Sequence, residues 1–405
     1  MVTKINRRFF HNNYNCLRVV LSLERVEILG RNKAGLASGV WVLLLFLAVF
    51  GVVLKVPLVK SNSGTIYIRP DGSIEPSDAP ISTLDNITYT FTNHVNDPIV
   101  VERSNIIIDG AGYALQGNGS GKGMNLSGRT NVTVRNTQIQ DFEYGIYLYS
   151  SDHNSISGNS IVNDSYGIML GYILDGDSCY NSISGNTITA NNEDGIVLCH
   201  ESSNNTIYHN NFADNTKQVN SPHFENIWDN GIEGNYWSNF NGTDENYDGI
   251  GDSWYEIDEN NTDHYPLMGM FYSYDVFWID LGFTVTLVSN STVSNFAVGV
   301  WIEHPENRII SFDVTGEIGY GFCRLCIPKD LMAPPYTVII DNGETSVLHY
   351  NKAVFDNSTH GWIYFGYQQS EHQLIVIPEF PSFLIPPLFM IATLLAVIVY
   401  KKREV

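Results

Sequence analysis

The chain has 405 residues, long enough for two or three domains, and carries 22 Lys and Arg against 43 Asp and Glu, a formal net charge of −21. Residues 61–400 hold only 10 of those bases but 40 of those acids, so this stretch is near −30. Such a surface repels nucleic acid and anionic polymers and attracts cations, which argues against a nucleic-acid partner.

Residues 1–61 read as a basic leader followed by a signal peptide or signal anchor. The apolar run Val40-Trp-Val-Leu-Leu-Leu-Phe-Leu-Ala-Val-Phe-Gly-Val-Val-Leu54 follows Arg7, Arg8, Arg18, Arg25, Arg31 and Lys33. A second apolar run, residues 383–400, precedes Lys401-Lys402-Arg403 and reads as a transmembrane helix. With both basic flanks kept in the cytoplasm, residues of about 62–382 are expected outside, exported and anchored on the extracellular face of the membrane. Ten Asn-x-Ser/Thr sites, from Asn86 to Asn357, suit a glycoprotein.

Residues 62–98 alternate polar and apolar and are expected to cap a repeat region at 99–238. In that region Asn154-Ser-Ile-Ser-Gly-Asn159 returns as Asn181-Ser-Ile-Ser-Gly-Asn186 and as Asn205-Thr-Ile-Tyr-His-Asn210, with degenerate copies led by Asn105 and Asn131. The steps between leading Asn residues are 26, 23, 27 and 24. A second element keeps the same beat: Gly123-Met-Asn-Leu126, Gly145-Ile-Tyr-Leu148, Gly167-Ile-Met-Leu170 and Gly195-Ile-Val-Leu198. Short alternating runs at this period mean stacked coils of strand, a parallel β-helix. In-register stacking predicts four inward columns: Ile146/Ile168/Ile196; Leu126/Leu148/Leu170/Leu198; Val134/Ile156/Ile183/Ile207; and Ile139/Ile161/Ile188/Phe212. Asn159, Asn186 and Asn210 are expected at a turn, in left-handed backbone, each amide bonding to the Asn one coil away. The longer interval from Gly167 to Gly195 places a loop at residues 172–179.

Residues 239–270 are dense in Asn, Asp and Gly. Within them Asp244, Asn246, Asp248, Ile250 (through its carbonyl) and Asp252 stand at positions 1, 3, 5, 7 and 9 of a calcium loop with Gly249 at 6. The bidentate Glu of such a loop is missing, Tyr255 standing in its place, and a solvated acidic turn is the plainer alternative. A calcium ion here is expected to be structural, tying the coil end to the next domain. Residues 271–377 change to longer strands with tight turns, about seven of them, which suggests a small Ig-like β-sandwich. Residues 378–405 form a Pro-Glu-Phe stalk, the apolar helix and the basic tail.

Three constellations bear on function. Tyr147, Tyr149, Tyr166 and Tyr172, with Tyr144 beside them, lie on or near the Gly-Ile strands; outward rings on neighbouring coils could stack on sugar faces. Their plainer role is to cover a sheet. Glu143, Asp164, Glu193 and Asp194 occupy similar corners just before those strands, an acidic stripe that could serve glycan hydrolysis if two carboxylates share a groove. Turn corners favour Asp in any case. The five Cys form no framework: Cys179 and Cys199 differ in coil register, and Cys323 and Cys326 read as buried apolar fillers.

The coils resemble the NosD-like right-handed parallel β-helix family, within the wider group of carbohydrate-binding proteins and sugar hydrolases. The residues that carry the resemblance are the Gly145-Ile-Tyr-Leu and Asn154-Ser-Ile-Ser-Gly-Asn copies, with Gly234-Asn-Tyr-Trp-Ser and Asp244-Glu-Asn-Tyr-Asp-Gly-Ile-Gly-Asp252. The tail from Pro378-Glu-Phe-Pro resembles the archaeal PEF-CTERM surface-anchoring signal, which implies removal of the last helix and a lipid anchor. The resemblance implies the fold and the surface location; the leading expectation for function is a surface-anchored, non-catalytic β-helix protein that binds carbohydrate or another envelope component. Two rivals are a polysaccharide-active lyase, hydrolase or epimerase and a NosD-like accessory protein for copper-enzyme maturation. The scattered His153, His200, His209, His223 and His264 offer copper no evident cluster.

Overall fold

A computed structural model describes residues 64–172, 176–199, 201–221, 224–301, 304–351 and 356–379. The expected leader and anchor, the apolar run 383–400, His200, His223 and part of the loop at 172–179 lie outside the described residues. Among the described residues no helix is long and apolar enough to cross a membrane.

The architecture is all-β, beginning with a β-solenoid of about six turns. Among the described residues three sheets run along it, of eight, six and seven strands, parallel except for the antiparallel edge strands Ile74–Glu75 and Ile81–Ser82. The first holds Tyr144–Leu148, Tyr166–Leu170 and Asp194–Leu198; the second Gln138–Gln140, Ser160–Val162 and Thr187–Thr189; the third Ser155–Ser157, Ser182–Ser184 and Thr206–Tyr208. The expected columns are the observed registers: Ile146 pairs with Ile168 and Ile168 with Ile196, Val134 with Ile156, and Ile139 with Ile161. All these side chains are fully buried, because strand alternation turns one face of every short strand inward and no coil is large enough to enclose a core alone.

The segment 62–98 is more than a cap. Ile66–Ile68 pairs in parallel with Ile99–Val101, and Thr88–Phe91 with Ile106–Asp109, so the first coil is built from it.

The corners differ from the expectation in one respect. The buried Asn residues do bond coil to coil: Asn159 Nδ2 donates to Asn186 Oδ1 at 3.0 Å, and Asn186 Nδ2 to Asn210 Oδ1 at 2.9 Å. The left-handed residue, however, is the one before each of them, Gly158, Gly185 and His209. Left-handed His153, Tyr180 and Asn204 likewise precede the buried Asn154, Asn181 and Asn205, which start a second ladder that continues to Asn226 and Asn261. It also corrects the register of one repeat copy: Thr133 pairs with Ser155, so Asn131 aligns with His153 rather than Asn154. Gly145 and Gly167 are required by close approach. A Cβ on either would come within about 2.6 Å of the carbonyl oxygen of the Gly one coil on.

Beyond the solenoid, nine antiparallel strands form two sheets, of five and four strands, around one apolar core. Nine exceeds the seven or so expected; the expected strand run at 283–288 falls in Leu281–Ser289, which pairs with Met270–Trp278, and the shortest strand is His349–Asn351.

Candidate functional site

The outward face of the first sheet carries the tyrosines. In-register pairing stacks Lys122, Tyr144, Tyr166 and Asp194 in one column and Asn125, Tyr147, Met169 and Val197 in the next. Tyr144 and Tyr166 lie ring on ring at 5.3 Å, and Tyr144 meets Tyr147 edge-on at 5.4 Å. Tyr147, Met169, Val197 and Cys199 form a buried apolar floor. Lys122 Nζ sits 3.4 Å above the Tyr147 ring, a cation–π contact. Burial there pushes the Lys122 ammonium below its ordinary pKa, while Glu143 opposes this.

Lys122, Ser127, Tyr144, Tyr147, Tyr149 and Tyr172 line an open cleft of about 450 Å³. Three of the four expected tyrosines are therefore brought together. Tyr166 lies beside them, stacked on Tyr144. Tyr172 is the most exposed, and Gly176 of the inserted loop lies against the Tyr149 ring. Burial drives the Tyr144 phenol to about 12, with Glu143 adding to the effect, so the ring presents a neutral hydroxyl at physiological pH. Ser127 was not legible as a cleft residue; its place follows from the register that sets Leu126 against Leu148 and hence Ser127 beside Tyr149.

Of the acidic corners, Glu143, Glu193 and Asp194 stay on the outer side, where all three add to the burial that raises the Tyr166 phenol, and Asp164 parts from them. Asp194 aligns with Tyr166 on the outer face, with Glu193 exposed next to it. Asp164 aligns instead with Asn191: Asn191 Oδ1 accepts its backbone N–H at 3.0 Å, and the Asp164 side chain is wholly buried inside the corner. The reason is the corner pattern itself. Asn163 takes the left-handed position, and the residue after it turns inward. Asp164 Oδ1 accepts from Phe142 N at 2.7 Å, Oδ2 has no partner, and burial pushes the carboxyl up to about 8. Asp194 is also raised by burial, with Asn220 and Lys217 opposing.

In the acidic loop the carboxylates hold the loop's own amides. Asp244 accepts from Asp248 N and Gly249 N, Asp248 from Ile250 N, and Asp252 from Glu245 N. Burial raises the Asp244 carboxyl. The tie from coil end to sandwich is made by a buried guanidinium. Arg324 bonds Glu233 and donates to the Asp248 carbonyl at 3.1 Å. Cys323 and Cys326 are free thiols pushed up to about 12 by burial, and so inert fillers.

These features define a parallel β-helix repeat protein with an aromatic outer cleft. Residues 60–242 match the family model described as NosD, periplasmic copper-binding protein. A probable ABC transporter binding protein NosD of Pseudomonas aeruginosa is 32% identical over 135 residues, which is 31% of this chain and 31% of that one. The match thus spans about a third of the relative's length. Among solved structures, the Dettilon tailspike protein is 11% identical with a TM-score of 0.20, covering 70% of this chain and 67% of that one. The Pseudomonas phage phi297 tailspike is 9% identical with a TM-score of 0.23, covering 72% and 66%. The coils of this chain are a parallel β-helix repeat similar to that of the NosD family.

The described residues do not fit a copper centre. Among them no three His, Cys, Asp or Glu side chains are grouped to hold a metal. His209 is bonded to Glu233 and stacked on Phe271, His264 is bonded to Asp229, and His153 is stacked on Tyr180. Met124 and Met169 are buried on opposite faces of the first sheet.

Proposed function

We propose that this chain is an exported β-helix protein that binds a glycan on the outer face of its first sheet and does not cleave it. The observation that carries this reading is the convergence of Tyr144, Tyr149 and Tyr172 over a buried Tyr147 floor in one open cleft, with Lys122 and Ser127 as polar groups at its edge. Aromatic faces beside hydroxyl and ammonium donors suit the apolar face and the hydroxyl rim of a sugar ring. The periplasmic description of the matched family agrees with export. Against catalysis stands the burial of Asp164, which withdraws one of the four corner carboxylates from the outer face altogether.

The test is a glycan array probed with the full chain in detergent and with the Tyr149→Ala and Tyr172→Ala variants, followed by chromatography of the bound glycan. Binding that falls about fivefold or more in each variant, with the glycan returned intact, is expected; each stacked ring contributes about 1 kcal/mol or more. A shortened or unsaturated glycan would sink the non-catalytic reading, and unchanged binding would move the site elsewhere.

Calcium at residues 244–252 is a separate proposal. The oxygen spacing suits it, although each Asp of the loop now holds a loop amide. A melting temperature that is higher in millimolar calcium than in chelator supports it, and coincident curves remove it.

A further inference from the structure

The hairpin of Met270–Trp278 and Leu281–Ser289 ends in an apolar tip. Phe277 is 82% exposed, Ile279 80% and Leu281 61%. Trp278 pairs with Leu281, so Ile279 and Asp280 form a two-residue turn, and both are left-handed, with φ of +47° and +63°. That turn ordinarily takes Asn-Gly. A β-branched Ile in left-handed backbone is strained, and its side chain gains nothing from the fold because it points into solvent. Strain and exposure at the same residue mark a surface kept for contact.

The tip's location identifies the contact. The Arg308 guanidinium lies 5.4 Å from the Trp278 ring centroid and donates to the Asp330 carbonyl at 2.7 Å. The connection from Asp330 reaches Pro335, whose carbonyl accepts from Glu379 N at 2.7 Å, and Tyr336 pairs with Pro378. The hairpin tip and the last described residue therefore share one end of the sandwich. The apolar run 383–400 begins four residues further on, with Lys401-Lys402-Arg403 after it.

We propose that the 277–281 tip inserts into the interfacial layer of the membrane whose core the 383–400 run enters. Phe277, Ile279 and Leu281 would lie among the headgroup-proximal acyl chains, with Trp278 and Arg308 at headgroup depth, where such residues are favoured. Asp280 at the apex limits insertion to a shallow depth. The proposal rests on the reading of 383–400 as a membrane segment and is independent of the glycan cleft.

The test uses the full chain reconstituted in phosphatidylcholine vesicles, with Cys16 and Cys179 replaced by Ser. An environment-sensitive fluorophore is placed at Ile279→Cys or, as control, at Ile318→Cys, which is 94% exposed beside the start of Gly319–Pro328, at the opposite end of the sandwich. The expected result is blue-shifted emission at 279, quenching by lipid-borne spin label, and iodide quenching several-fold weaker than at 318. A chain that floats with vesicles while both labels stay equally open to iodide overturns the hairpin contact. A chain that does not float overturns the membrane reading itself. Shielding at 279 without lipid quenching overturns the membrane in favour of a protein contact. In the Phe277→Ser/Ile279→Asn/Leu281→Ser variant, labelled at Val300→Cys beside the tip, lipid quenching falls while the melting temperature holds or rises, since Asn accepts the left-handed turn.

Discussion

Asp164 stands where the ladder places Asn in later coils, at Asn191 and then Asn215. An Asn there donates through Nδ2 to a carbonyl of an earlier coil, as Asn215 does to Ile188 at 2.8 Å. A proton on Asp164 Oδ2 would restore that donor, so the neutral acid is the closer mimic of Asn. Asp263 makes the contrast. It is equally enclosed but accepts from Asn235 N, Trp237 Nε1 and Tyr265 N, and it rises only to about 6. Because Asp164 keeps its proton to about pH 8 when folded, whereas an unfolded Asp loses it near 4, stability falls as pH climbs through that window and levels above it. Asp164→Asn is expected to flatten this slope and to stabilise by about 2 kcal/mol or more at pH 8, with little effect at pH 4. Urea unfolding at pH 4, 6 and 8 measures it. A variant as pH-sensitive as the parent would show that Asp164 is ionised in the folded chain.

At the level of the coil, apolar columns and amide ladders do different work. The columns supply burial without direction, and the ladders fix the vertical register, because each rung fits only the rung above it. Asn186 Nδ2 donates to Asn210 Oδ1 and to the Ile156 carbonyl, and its Oδ1 accepts from Asn159. Asn186→Ala leaves these buried groups unpaired and is expected to cost about 2–4 kcal/mol in urea unfolding, against under about 1 kcal/mol for the exposed Asn192→Ala. The columns were readable in the sequence because Ile and Leu recur at strand spacing, and so was the Asn-to-Asn bond. The left-handed residue was placed one position late: Gly158 and Gly185 favour that backbone, but the Asn after each tolerates it too, and the third copy has His209 in the Gly position. Asp164 was misplaced as well. In sequence it precedes a Gly-Ile strand as Asp194 does, but it stands three residues from its Gly and Asp194 only one, which is the difference between inside and outside. The tyrosine face was legible because alternation alone sends Tyr147 and Tyr149 outward from Ile146 and Leu148, whereas the hairpin tip needed backbone angles.

Across the molecule, the solenoid end and the sandwich are joined through a buried charge network. Arg324, 1% exposed, pairs with Glu233, which also meets His209 Nε2 at 2.8 Å, and His209 stacks on Phe271 at 4.1 Å. Asn211 adds a two-way amide contact with the Phe271 backbone at 2.9 and 2.7 Å. Burial works to raise the Glu233 carboxyl, but Arg324 and His209 outweigh it and hold it below its ordinary range. A depressed carboxyl stabilises above its unfolded pKa and loses that contribution as pH falls through the folded one, so the junction is expected to loosen only in acid. Arg324→Met strands a buried carboxylate and is expected to cost about 3–5 kcal/mol, whereas Arg324→Met with Glu233→Met removes both charges and costs much less. Calorimetry distinguishes the outcomes: one transition for the parent, two separate transitions for Arg324→Met as the sandwich and solenoid uncouple, and a return toward one in the double variant. If the single variant still melts as one unit, the apolar contacts of Ile250, Leu267, Phe271 and Trp362 carry the junction and the ion pair only sets its geometry.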